Sequence, residues 1–166
     1  MAIRWRWILL AGLVVISLAS ACGSDDGAND STVADSDDPV ERGERIYVTY
    51  CASCHGQSGE GEPHWNVKKS DGTLPPPPLN GSGHTWHHGD GTLYKQVKLG
   101  GGYLDLPGFK SGMPAFGEQL SDREIVDVLA YVKSLWGNQT IRGVSIREAQ
   151  IEVSKNDPFP VASSDD

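Results

Sequence analysis

Basic residues are scarce in this chain: 14 Lys and Arg stand against 22 Asp and Glu, for a net charge of −8. That deficit makes nucleic acid a poor partner and favours proteins with a basic or neutral docking surface. Cysteine is rarer still. Cys51 and Cys54 lie close together, and the only other cysteine, Cys22, is far upstream, so a cysteine-rich zinc site cannot be completed. Methionine occurs twice, as Met1 and Met113, and no internal repeat is visible. What the chain has in quantity is glycine (20) and proline (10), the composition of a loop-rich domain rather than a smooth helical bundle. Its 166 residues are enough for one ordinary domain.

The N-terminus has the three parts of an export signal. Arg4 and Arg6 form a positive region, Ile8 to Ala21 is an uncharged stretch of 14 residues, and Ala19-Ser20-Ala21 supplies the small residues of a cleavage site. The stretch is short for a membrane span, although counting from Trp5 lengthens it towards one. Cys22 follows directly and resembles the acylated cysteine of bacterial lipoproteins, although Ala19 stands where that family prefers Leu. A lipid anchor at Cys22 is the expectation; a secreted protein with a spare thiol and an uncleaved anchor are the alternatives. Residues 23–38 carry six aspartates and no large apolar side chain except Val33, so they cannot bury enough surface to offset their ordering entropy. They read as a solvated spacer. The division expected is a signal peptide over 1–21, a linker over 22–38, a folded domain over 39–137 and a partly disordered extension over 138–166. Loss of 1–21 removes two arginines and no acid, moving the charge from −8 to −10.

Cys51-Ala52-Ser53-Cys54-His55 carries the chemistry. Two cysteines three positions apart lie on one side of a helical turn, where each sulfur can attack a vinyl group on one haem edge. The next residue, His55, then sits under the iron. A thioredoxin-like dithiol would need strands and helices alternating around the motif, which the pattern does not supply, and half a zinc site would need two further ligands. One C-x-x-C-H means one haem c.

The flanks read as helices. Asp38-Pro39 looks like an N-cap followed by proline at the first helical position, with Glu41 placed to close a capping box. Val40, Gly43, Ile46, Tyr47 and Tyr50 then recur at helical spacing. Ser121-x-x-Glu124 is a second capping box, opening a helix with Ile125, Val128, Leu129, Val132, Leu135 and Trp136 on one stripe. The two helices are expected to pack together, Gly43 allowing close approach and Tyr47 meeting Tyr131. A shorter helix is expected over Thr92–Leu99, with Leu93, Tyr94 and Val97 inward and Gly100-Gly101-Gly102 ending it. Met113-Pro114-Ala115-Phe116 lies between Gly112 and Gly117, where a methionine has no helix face to fill. A thioether is a soft ligand that holds ferrous iron, so Met113 is the expected sixth ligand.

Taken together, these residues resemble the class I c-type cytochromes, specifically the bacterial mono-haem cytochrome c / cbb3-type domain family. The resemblance rests on the C-x-x-C-H pentapeptide, Pro77-Pro78-Leu79-Asn80-Gly81, Met113 to Gly117, and the closing helix with Leu129-Ala130-Tyr131, and covers roughly 39–137. It implies an all-α fold of about three main helices around one covalently attached haem. It also implies that Pro77, before the Leu-x-Gly step, offers its carbonyl to the haem histidine. The function implied is one-electron transfer with His55 and Met113 as axial ligands, in a respiratory or periplasmic redox chain, by a monomer meeting redox protein partners. The alternative is a haem enzyme or gas sensor with an open sixth position.

His64, His84, His87 and His88 fall outside that pattern. Three readings stand for them: a loop over the haem edge with Trp86 packing, a second metal site, or a haem ligand displacing Met113. Trp65 and Trp86 are the aromatic candidates for packing near the haem. After Trp136 the periodicity weakens; a short helix within 142–154 and a mobile tail from Asn156 are expected.

Overall fold

A computed structural model describes residues 36–160. The expected signal peptide, most of the acidic linker, Cys22 and residues 161–166 lie outside the described residues. Among those described, the architecture is all-α: α1 (Pro39–Tyr50), α2 (Ala52–His55), α3 (Asp90–Leu99), α4 (Asp122–Ser134) and α5 (Ile146–Ser154), with a 3-10 turn at Thr85–His87. The only strands among the described residues are β1 (Thr140–Ile141) and β2 (Val144–Ser145), an antiparallel pair registering Thr140 with Ser145 and Ile141 with Val144. No described helix is long and apolar enough to cross a membrane.

Helix α1 begins where Asp38 accepts a hydrogen bond from the Val40 amide, with Pro39 in the first turn. The expected capping box does not form. Glu41 instead accepts from the Ser36 hydroxyl at 2.6 Å, because Ser36 turns back over the first helical turn. Helix α4 does start with a complete box: Ser121 Oγ accepts from the Glu124 amide and Glu124 reaches back to the Ser121 amide at 2.8 Å.

Helix α4 is the shared wall of two apolar clusters. On one side Val128, Tyr131 and Val132 meet Tyr47 and Ala52; on the other Ile125 and Leu129 meet Leu93, Tyr94 and Leu120. Each aliphatic side chain as fully buried as Ile125 or Val128 contributes about 1.5–3 kcal/mol. The α1–α4 crossing is close enough that a Cβ on Gly43 would stand 2.0 Å from the Asp127 carbonyl oxygen. Beside it, the Arg42 guanidinium donates to both carboxylate oxygens of Asp127, at 2.7 and 3.0 Å, and Tyr47 packs on Tyr131 at 5.2 Å between ring centroids.

Helix α3 starts at Asp90, two residues earlier than expected, because its cap comes from the other end of the chain. Its first three amides are satisfied by the C-terminal extension: Asp90 N donates to Ser154 Oγ at 3.2 Å, Gly91 N to the Asp157 carbonyl at 2.9 Å, and Thr92 N to Asp157 Oδ2 at 2.8 Å. Lys133 and Gln150 both bond the Asp90 carboxylate, and Phe159 packs against the cluster of Leu93 and Leu129. Residues 156–160 are therefore not the mobile tail expected: Asp157 caps α3 and Phe159 packs beside it. The helix expected within 142–154 begins only at Ile146, since Arg142 (φ +49°) and Gly143 (φ +80°) form the left-handed turn joining β1 to β2.

Two substitutions separate these contributions. Gly43→Ala is expected to destabilise the protein by roughly 1–3 kcal/mol, since the backbone of Asp127 must retreat. Asp157→Ala is expected to cost about 1 kcal/mol, the value of one helix cap. Denaturant titration measures both, and unchanged midpoints would contradict the packing and capping described.

Candidate functional site

Helix α1 delivers the cysteine motif almost without interruption. The Cys51 amide still donates to the Tyr47 carbonyl at 2.8 Å, and the His55 amide donates to the Cys51 carbonyl at 2.9 Å, so α2 is one more turn on nearly the same backbone. The helical path ends at Gly56, whose φ is +83°. The Tyr47 hydroxyl donates to the Gly56 carbonyl at 2.8 Å and thereby ties the end of the motif back to the α1–α4 core. Cys51 is partly covered and Cys54 exposed, and neither forms a disulfide. Burial, with a smaller contribution from Cys54, pushes the Cys51 thiol up to about 11, so it is protonated at neutral pH.

His55 is 92% buried, with an exposure of only 8%. Its Nδ1 lies 2.9 Å from the Pro77 carbonyl oxygen. A carbonyl can only accept, so Nδ1 carries the proton and donates, which leaves Nε2 with a free lone pair. Burial holds the ring below the ordinary imidazole range, opposed in part by the Pro77 bond, and so favours its neutral form.

The Pro77 carbonyl is aimed by backbone pairing between two irregular segments. The Gly61 amide donates to the His55 carbonyl at 2.8 Å, Glu62 N to Pro76 O at 2.9 Å, and Leu79 N to Gly59 O at 2.7 Å. Gly61 has φ +68°, and a Cβ there would stand 2.5 Å from Pro78 N and 2.6 Å from Pro77 C. The indole of Trp136, just past the end of α4, donates to the Leu79 carbonyl at 2.8 Å, fixing the far end of the proline run. Prolines cannot donate, so this run offers carbonyls only.

Met113 lies on the long loop between α3 and α4, partly covered. Its loop closes the open end of α3: Phe116 N and Gly117 N each donate at 3.0 Å, to the carbonyls of Val97 and Lys98. Gly101 N donates to the Met113 carbonyl at 3.0 Å, and Gln96 Nε2 lies 3.8 Å from Met113 Sδ. A parallel bridge between Leu74 and Ser111 joins this loop to the segment leading into the prolines. The structure thus brings Cys51, Cys54, His55 and Pro77 together directly and suspends Met113 from α3. Sequence reasoning missed Gln96 and the docking of the methionine loop on the last turn of α3. Neither has a local signal, because both depend on contacts across the loop.

The histidine segment is a separate feature. Trp65 stacks on His84 at 5.2 Å, His84 and His88 meet edge to face at 5.3 Å, and His87 lies against Trp86 at 3.7 Å. The His64 carbonyl accepts from Val67 N at 2.8 Å, a contact that does not join it to that pair.

The family described as cytochrome c oxidase, cbb3-type, subunit III matches residues 38–132. The gluconate 2-dehydrogenase cytochrome c subunit of Pantoea cypripedii is 31% identical over 111 residues, 61% of this chain. The chain spans only 21% of that relative's length. Cytochrome c6 of Bumilleriopsis filiformis is 35% identical over 95 residues, which are 57% of this chain and 90% of that protein. No solved structure matches significantly. The cofactor of such proteins is a covalently bound haem c, and the residues here fit one. Two free thiols lie one turn apart beside an imidazole with its Nε2 unengaged. The loops that carry Pro77 and Met113 also leave Val67, Leu104, Leu106 and Phe109 exposed.

Gly61→Ala tests the aiming of the Pro77 carbonyl. The added methyl must displace Pro77 or Pro78, at a cost of roughly 1–3 kcal/mol, and the His55 Nδ1 proton should lose its protection in NMR spectra of the reduced protein. A protected proton and an unchanged unfolding midpoint would show that the carbonyl is held by something else.

Proposed function

This chain belongs to the class I c-type cytochromes, whose work is haem-based electron transfer, and we propose that it carries single electrons on one haem c bound through Cys51 and Cys54, with His55 and Met113 as axial ligands. The observation that supports this best is the bond from His55 Nδ1 to the Pro77 carbonyl, which leaves Nε2 as the one imidazole nitrogen with a lone pair to offer a metal. The haem supplies the one-electron couple, iron alternating between ferric and ferrous. The chain supplies everything that keeps that couple at one geometry and one potential.

Cys51 and Cys54 would hold the cofactor at the end of α1, so its position would follow from the α1–α4 crossing. Pro77 holds the Nδ1 proton in place, which fixes the tautomer and raises the basicity of Nε2. Met113 contributes a soft thioether that favours the ferrous state and raises the potential. With His55 and Met113 both holding the iron, no position would be left for a substrate, and the group would serve electron exchange alone. The partners are redox proteins, with nucleic acid excluded by the acidic charge. The chain acts as a monomer at the outer face of the cytoplasmic membrane or in the periplasm, held by a lipid at Cys22, within a respiratory or periplasmic redox chain. A place within an oxidoreductase complex is compatible with the same chemistry, as the name of the Pantoea relative illustrates.

Optical spectra of the purified protein, oxidised and reduced, with and without carbon monoxide, test the ligand set. The expected result is a low-spin haem with a sulfur-to-iron charge-transfer band that disappears in Met113→Ala, and little carbon monoxide binding. A high-spin haem that binds carbon monoxide readily would replace this reading with an open-site enzyme or sensor. A low-spin spectrum without the sulfur band would transfer the sixth position to one of His84, His87 or His88. The anchor is tested separately: Cys22→Ser should release the protein from membranes with its spectrum unchanged.

A further inference from the structure

The histidines at 84–88 have no part in the electron-transfer reading, yet their backbone is firmly held. Thr85 is buried and its hydroxyl donates to the Pro78 carbonyl at 3.4 Å. His87 N donates to the His84 carbonyl at 2.9 Å, and His88 N to the Thr85 carbonyl at 3.2 Å, closing the 3-10 turn. Position 83 accepts no side chain, because a Cβ there would stand 2.3 Å from the Pro78 carbonyl oxygen. From the opposite side, Gln150 of α5 donates to the His88 carbonyl at 3.4 Å. The turn reverses the chain between residues 84 and 88, and this brings two side chains four apart onto one side.

We propose that His84 and His88 form a two-imidazole site for a borderline divalent transition-metal ion, Cu2+ or Zn2+, with solvent completing its coordination. The ring centroids are 5.3 Å apart and the planes are inclined at 72°. Two imidazoles bound to one ion at roughly 2.0–2.1 Å per nitrogen place their centroids about 5 Å apart, so the spacing of this pair matches that of two rings sharing a cation. The Trp65 ring, stacked within 10° of parallel on His84, limits that ring's rotation and so reduces the entropy lost on binding. His87 is drawn aside against Trp86.

Burial, reinforced by the neighbouring histidines, holds His84 and His88 below the ordinary imidazole range, so both offer lone pairs at neutral pH. The Asp157 carboxylate acts on His88 from the side of the extension and, with the chain's net charge of −8, favours a cation. Among the described residues no group of three or more His, Cys, Asp or Glu is placed to hold a metal ion, so the protein offers this cation two imidazoles and no third such ligand. Imidazole donors and the order of divalent affinities select Cu2+ over lighter metals.

The test uses the haem-loaded full chain, without an affinity tag, titrated with Cu2+ and followed by electron paramagnetic resonance. The expected result is one tightly bound equivalent whose splitting pattern reports two nitrogens. Binding should be lost in His84→Gln and in His88→Gln and retained in His87→Gln, with the haem spectrum intact in all three. Zn2+ added first should block the Cu2+ signal. Copper binding unaffected by either substitution, or lost only with His87 or His64, would overturn the site, as would no tight binding by the wild type. If His88→Gln fails to fold, His84→Gln and the Zn2+ competition decide the question alone. The electron-transfer reading is judged by the haem spectrum, so the two can fail independently.

Discussion

Helices α1 and α4 can cross as closely as they do because position 43 has no side chain, and the placement of the cysteine motif follows from that contact. The Asp127 carbonyl occupies the space a Cβ would need. At that distance the Arg42 fork reaches both oxygens of the Asp127 carboxylate, and Tyr47 reaches both the Tyr131 ring and the Gly56 carbonyl. A buried ion pair of this kind adds little net stability against an apolar alternative, but removing one partner leaves a costly unpaired charge. Its effect here is to define a single register between the helices. Since α2 continues the backbone of α1, a change of register would move Cys51, Cys54 and His55 together.

The opposite wall is built on a different plan. Helix α3 has no side-chain cap of its own at either end; its N-cap position is Gly89 and its C-cap Gly100. Both ends are closed by distant segments, the first turn by Ser154 and Asp157, the last by the amides of Phe116 and Gly117. A helix of ten residues is too short to be stable alone, so its order depends on these two partners and on the cluster around Leu93 and Leu129. Because the methionine loop hangs from the last turn of α3 and the extension holds the first, the extension supports Met113 indirectly. That is a structural reason for residues 138–160 to accompany a domain whose family match ends at residue 132.

What was legible in the sequence were features whose causes are local. The α4 box, the apolar stripe from Ile125 to Trp136, the proline at the start of α1 and the glycine at the crossing all follow from spacing within one helix or from the need for close approach. The box at Asp38 failed because Ser36, lying just outside the helix, competed for Glu41. The early start of α3 and the order of residues 156–160 were illegible for the same reason: the groups that satisfy the helix are 65 residues away in the case of Thr92 and Asp157. The three readings of the histidine segment did not foresee a pairing of His84 with His88, which meet across the closed 3-10 turn. Pro77 entered through the family pattern, and the structure gives that pattern a physical basis in the pairing of segments 59–62 and 76–80.

These two walls differ in stiffness, and the difference bears on how the proposed ligand set behaves. On the histidine side, the donor is 92% buried, follows Cys54 directly in sequence, and is held through Nδ1 by a carbonyl with backbone bonds on either flank. On the methionine side, the loop from Gly101 to Gly112 leaves Leu104, Leu106 and Phe109 exposed and has Asp105 in the left-handed region at φ +43°. Few buried contacts hold it between its anchors on α3 and the Leu74–Ser111 bridge. Local opening draws on the least-packed segments first. If the ligand set is as proposed, disturbance of the protein should therefore detach the thioether well before the imidazole, and the iron should lose its methionine while α1 and α4 remain folded. On the same proposal, control of the potential would lie in the loop that α3 suspends, and the position of the cofactor would be left to the α1–α4 crossing.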